Sequence, residues 1–205
     1  STRQAPDASA ATVPIEVVGG PLLRLAKQPQ GTEWQHAAAG SSVLAGDELL
    51  VPPWSEATLR VGGCDVRLLA LTDAAFLVDR DATPRVDMLF GRCLVGGTQA
   101  SRIGATAGGL SGAIAAGPST LVAIDVGLDR SGSGDGAAAG AGSITAGQRP
   151  FTWQPTAADG TVPATEASLE VPAGESVVLQ GGRATRTAAV AGSRLDASAF
   201  PDRLQ

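Results

Sequence analysis

The chain has 205 residues, 43% of them hydrophobic, yet alanine is roughly a fifth of it and Leu, Ile, Val and Phe together come to about 22%, just above the level at which chains stop folding. With aromatics at 3%, no Tyr, one His, one Met and two Cys, it lacks the ligands of a multi-Cys or multi-His zinc site and the stacking surface of a base reader. A formal net charge of -5, carried as 8 basic and 11 acidic residues over 1–100 and 7 and 9 thereafter, excludes both a phosphate-binding surface and a segregated membrane-binding patch.

Residues 1–12 are small, polar and Pro-containing and read as a flexible lead. From residue 13 short apolar runs alternate with turn signals. Strands are predicted at 13–18, stopped by Gly19-Gly20-Pro21, and at 22–26, stopped by Pro29 and Gly31. Val43-Leu44 precedes Gly46-Asp47, a hairpin-type dipeptide, and residues 48–51 run into Pro52-Pro53. Residues 57–61 and 64–71 flank Gly62-Gly63, a tight hairpin signal. Further strands are predicted at 75–78, 86–90 and 93–95. Residues 96–118 are rich in Gly, Ala and Ser, and 120–126 is a clean strand. Residues 131–143 are low-complexity and read as a loop. Strands follow at 144–153, 167–171, 175–179 and 184–190, and 195–205 reads as a short helical turn or tail.

Period-two alternation supports strands: Leu59 and Val61 point opposite to Thr58 and Arg60, and Val66 and Leu68 opposite to Arg67. No window holds an amphipathic helical stripe, and the alanines at 37–39 and 113–116 are too few to hold a helix. One device recurs. Leu44-Ala45-Gly46-Asp47, Ile144-Thr145-Ala146-Gly147-Gln148 and Val171-Pro172-Ala173-Gly174-Glu175 each place an Ala-Gly pair between apolar and polar residues. Its reuse predicts stacked hairpins. The expected fold is all-β, hairpins stacked in a β-solenoid-like or β-sandwich arrangement over 13–195, with a tail at 196–205.

Residues 40–95 resemble the FecR-type domain of bacterial envelope proteins. The similarity runs through Gly40-Ser41, Leu44, Gly46-Asp47 and Leu49, then Ala57-Thr58-Leu59-Arg60 into Gly62-Gly63. It continues from Leu68 to Thr72 and Leu77, and closes on Met88-Leu89-Phe90-Gly91-Arg92-Cys93-Leu94-Val95. Residues 169–180 resemble the family's later strand pair. The family has a Gly-Thr pair before a late strand, where this chain has Ser119-Thr120-Leu121.

The resemblance implies a non-catalytic, extracytoplasmic domain, periplasmic in location, belonging to a membrane-anchored protein whose tether lies outside this chain. It implies a protein partner in the envelope, a role in signalling such as sigma-factor regulation, and no cofactor. In such a compartment Cys64 and Cys93, 29 positions apart, either bridge, for about 3–4 kcal/mol, or remain two buried thiols. No spanning apolar run and no signal peptide is visible.

The candidate chemistry is sparse. His36 is the sole histidine, beside Trp34 and Glu33 in a predicted loop, with no nucleophile elbow near it and too few partners for a cupin metal site. Glu33, Asp47, Glu48, Glu56, Asp79 and Asp81 are conceivable glycosidase carboxylates, but most flank Gly or Pro turns, where acids are ordinary solvated residues. Asp79-Arg80-Asp81, or Asp125 with Asp129 and Asp135, lack the spacing of an EF-hand or a nonapeptide calcium repeat. The glycine-rich loops carry no phosphate-binding signature. That leaves Trp34, Trp54 and Trp153, as packing residues or as an interaction surface for a protein or a carbohydrate.

Overall fold

The computed structural model describes residues 14–28, 31–79, 81–97, 99–127, 141–157 and 167–188. The expected lead at 1–12, the domain limits near 13 and 195, the tail at 196–205 and loop residues 131–140 lie outside them. Among the described residues every regular element is a strand. The first are β1 (Ile15–Gly19), β2 (Leu22–Gln28), β3 (Gly31–Ala37), β4 (Ser42–Val43), β5 (Glu48–Leu50), β6 (Ala57–Val61), β7 (Cys64–Leu68), β8 (Asp73–Val78) and β9 (Pro84–Gly97). Then come β10 (Ser101–Ala107), β11 (Leu110–Ala116), β12 (Thr120–Val126), β13 (Gly142–Ala146), β14 (Phe151–Thr156), β15 (Leu169–Val171), β16 (Glu175–Gln180) and β17 (Arg183–Ala188).

These strands pair into a mixed network that creases at β9 into two sheets. The first sheet runs β4–β1–β6–β7–β9–β12–β13–β16–β17. The second runs β3–β2–β5–β8–β9–β10–β11–β14–β15. All pairs are antiparallel except β9–β10. The residues up to Phe90 pair with β8, and Gly91 to Gly97 pair with β12. Gly91 makes this switch at φ +102, where a Cβ would fall 2.6 Å from the Thr72 Cα. The buried Thr72 hydroxyl clamps the crease, donating to the Arg92 carbonyl at 2.8 Å and accepting from the Arg92 N–H at 3.1 Å.

One core lies between the sheets. Val17, Leu59, Val61, Val66 and Leu68 of the first sheet join Leu22, Leu49, Phe76, Val86 and Ile114 of the second in a single buried cluster. Alternation on β6 and β7 is as the sequence predicts, and Gly62-Gly63 forms the two-residue hairpin, with φ +54 and +85 and Val61 facing Cys64. Whole hairpins alternate between the sheets in the second half: β10–β11, β12–β13, β14–β15, β16–β17. The stacked-hairpin expectation therefore describes that half, while the first half interleaves single strands.

Several expectations need correcting. Residues 31–37, with Trp34 and His36, form an edge strand rather than a loop. The predicted pieces 86–90 and 93–95 are one 14-residue strand, continuous through Gly91. The predicted strand 144–153 is two strands in different sheets. The Gly/Ala-rich stretch 96–118 contains the β10–β11 hairpin, because small residues permit close approach: Gly112 lies under the Trp153 ring, which a Cβ would meet at 2.2 Å. The recurring Ala-Gly device is not a hairpin turn. At 44–47, 146–147 and 172–175 it carries the chain across from one sheet to the other; in the first and last, Asp47 N–H donates to Leu44 O and Glu175 N–H to Pro172 O. Other crossings use residues that rarely adopt positive φ: Trp54 at +60, Leu71 at +57 and Ser119 at +56.

Candidate functional site

The two sheets differ on their outer faces. On the first sheet, charges pair with one another: Arg60 with Asp65 at 3.2 Å, Arg67 with Glu56 at 3.5 Å and Arg92 with Asp125 at 2.8 Å. Beyond them the Thr145 and Ser176 hydroxyls meet at 2.8 Å. On the inner side of this sheet, Arg186 pairs with Glu175 at 3.1 Å and donates to the Glu170 carbonyl of β15.

The second sheet's outer face, from β3 to β9, is apolar. Leu49, Ala74, Phe76 and Val86 face the core, so their strand neighbours Glu48, Leu50, Asp73, Ala75, Leu77 and Asp87 face outward. Register aligns these into two transverse rows. One reads Trp34, Leu25, Glu48, Ala75, Asp87; the other reads His36, Leu23, Leu50, Asp73, Phe90. Leu23, Leu25, Leu50, Leu77 and Phe90 are half-buried and stand outside the core cluster. A bulge opposite Asp73 and Ala74 places Leu89 beside Phe90, 53% exposed. Leu71, 55% exposed, precedes Asp73 by two residues and is tied to β5's continuation, its N–H donating to Val51 O at 3.1 Å. Three residues beyond Val51 stands Trp54, 99% exposed.

Asp73 is the anomaly on this face. One of its carboxylate oxygens is buried without a hydrogen-bond partner. Burial, and secondarily the nearby Glu48 carboxylate, pushes its pKa up to about 6. Neither Asp73 nor Glu48 forms an ion pair among the described residues. Burial also raises Asp87, and Arg85 opposes that rise. Arg85, itself buried, is bonded to Asp79.

Of the other acids singled out from sequence, Asp47, Asp79, Asp81 and Asp125 serve the fold. Asp47 accepts from the Leu44 N–H at 3.2 Å and lies 3.8 Å from Arg24. Asp81 accepts from the Thr83 N–H at 3.1 Å, and its bonds to Thr83 hold its carboxyl below the usual range. Burial raises Asp125 despite its pairing with Arg92. Glu33 is an exposed residue of β3, and Asp129 and Asp135 lie outside the described residues. Among the described residues no three His, Cys, Asp or Glu side chains gather as a metal site.

The tryptophans divide. Trp34, 41% exposed, and Trp54 are on the surface. Trp153 is a correction: at 1% exposure it fills the core, and the Pro155 turn signal beside it lies inside β14. The possible disulfide is a second correction. Both thiols are free and buried. Register sets Cys93 opposite Leu68, four positions along β7 from Cys64. At about 3.4 Å per residue that separation far exceeds the roughly 7 Å a disulfide spans. Burial is the main reason both thiols resist ionisation.

Asp73 and the outward leucines escaped the sequence reading; Asp73 carried no local signal, but the leucines did. Leu22-Leu23 and Leu49-Leu50 place apolar residues on both faces of a strand, which a sheet with one wet face does not require.

No family model, no curated protein and no solved structure matches the chain. The FecR-type resemblance therefore stands on its own motif residues, which here build turns, the crease and core strands.

Proposed function

We propose that the chain is a non-catalytic interaction module that works by holding a protein partner outside the cytoplasmic membrane, the mode the FecR-type resemblance implies. Trp54 carries the reading. A left-handed backbone costs a non-glycine residue about 1–2 kcal/mol, and here it displays the largest apolar side chain almost wholly to solvent. At 99% exposure the ring packs against almost nothing that would recover that cost, whereas a displayed Trp is a common anchor of protein interfaces. Leu71 repeats the arrangement at the neighbouring crossing.

The test is site-specific photocrosslinking in the native cells. A photoreactive residue at position 54 should give a discrete protein adduct, and one at position 60, on the charge-paired outer face, should not. Equal labelling from both positions, or from neither, would refute the reading. A second reading, carbohydrate binding, is favoured by the half-exposed Trp34 ring beside an open sheet edge. It requires retention on cell-wall polysaccharide that Trp34→Ala abolishes.

A further inference from the structure

We infer that the outer face of the second sheet, centred on Leu50 and Asp73, docks a protein segment carrying a lysine or arginine among apolar side chains, with the cation seated against Asp73 and Glu48. This rests on the reading of the chain as a protein-binding module and adds the chemistry of what is bound.

Three observations carry it. First, the face is apolar where the fold does not need it to be, since Leu23, Leu25, Leu50, Leu77 and Phe90 lie outside the core. Second, its two central carboxylates, Glu48 on β5 and Asp73 on β8, have no ion pair among the described residues. The other ionisable groups described on it are Asp87 and Arg85 on β9, His36 on β3 and, towards its far side, Arg102 on β10; Arg85 is committed to Asp79. By contrast, Arg60, Arg67 and Arg92 on the first sheet's outer face pair with Asp65, Glu56 and Asp125. Third, Asp73 holds a buried oxygen with no donor, between Leu50 and Phe90 in register. An unsatisfied buried acceptor is costly, and a charged donor arriving with apolar neighbours would satisfy it and cover the leucines together.

Charge decides among occupants. An anionic lipid surface or a nucleic acid is repelled. A neutral sugar leaves the carboxylates unneutralised. A second copy docking through the same face about a twofold axis would set these carboxylates against their own copies.

The experiment selects from a phage-displayed library of random twelve-residue peptides on the whole chain. Recovered peptides should carry Lys or Arg flanked by apolar residues. Asp73→Asn should weaken them about tenfold or more, and Glu48→Gln by less. Asp73→Asn removes an unfavourable ionisation, so it should fold at least as well as the parent, and a lost affinity is not lost structure. Leu50→Ser, which also leaves the core untouched, should weaken the same peptides. Peptides without basic residues, peptides indifferent to Asp73→Asn, or no retained peptide would each overturn the inference. Neutral peptides lost on Trp54→Ala but kept on Asp73→Asn would leave the binding-module reading standing and remove only the cation. Peptides indifferent to both substitutions would remove both.

Discussion

Replacing Gly91 by alanine should damage the fold at the crease. The φ of +102 lies outside the region open to L-residues and costs about 1–2 kcal/mol. The new Cβ would stand 2.6 Å from the Thr72 Cα, 2.7 Å from its Oγ1 and 2.9 Å from the Leu71 carbonyl oxygen. Carbon contacts settle near 3.5–4.0 Å, so β8 and β9 must part by about 1 Å at the point where Thr72 clamps Arg92. Overpacking of that kind costs about 1–3 kcal/mol, and loosening the two clamp bonds about 1 more. The sum is about 3–6 kcal/mol. At about 2–4 °C per kcal/mol for a chain of this size, Tm should fall by about 6–24 °C. Gly46→Ala is the matched control: its φ of +92 is similar, but nothing lies within 4 Å of the added Cβ. It should cost the backbone strain alone, about 2–8 °C. Thermal unfolding followed by circular dichroism measures both. If Gly91→Ala melts no lower than Gly46→Ala, the crease is not held by the close approach to Thr72.

Three further outcomes follow from the same geometry. Gly112→Ala, whose Cβ would enter the Trp153 ring, should cost about 1–3 kcal/mol and alter the near-ultraviolet circular dichroism of that indole; an unchanged spectrum contradicts the packing. Asp73 is protonated more readily folded than unfolded, so between pH about 4 and 6 stability falls as pH rises, and the full cost is present above about 6. Asp73→Asn should therefore raise Tm at pH 7.5, with the gain shrinking through pH 6 and vanishing below about 4; a gain independent of pH, or a loss, refutes the assignment. Both thiols should resist a thiol reagent in the native protein and react in denaturant without reductant; a need for reductant would mean a bridge that the register forbids.

Much of the fold was legible because one wet and one dry face impose alternation. Leu59 and Val61, the Gly62-Gly63 turn and the strand at 120–126 were found on that basis. Where the physics departs from alternation the sequence misled. β10 and β11 are built of small residues whose role is to admit Arg85 and Trp153, and no local periodicity reports what lies across a sheet. The Ala-Gly turns were recognised as turns, but whether a turn returns a strand to its neighbour or throws it to the opposite sheet depends on the partner it meets. Trp54 and Trp34 were legible as surface candidates. Trp153 was not, because Pro155 signals a turn locally while tertiary packing holds it in an inner strand. Asp73 was invisible for the same reason: its character comes from Leu50 and Phe90 across the strands and from Glu48 on β5.

The crease at β9 also bears on the order of assembly. Strands β1 to β8 pair among themselves, and β9 then adds to both of their sheets at once. Every later strand is laid on one already placed, β10 and β12 on β9 and the rest outward from these. This topology lets the first half serve as a template on which each later strand is laid. We expect the backbone amides of β9 to exchange hydrogen slowest and those of β16 and β17 fastest, a gradient that uniform exchange across the strands would contradict.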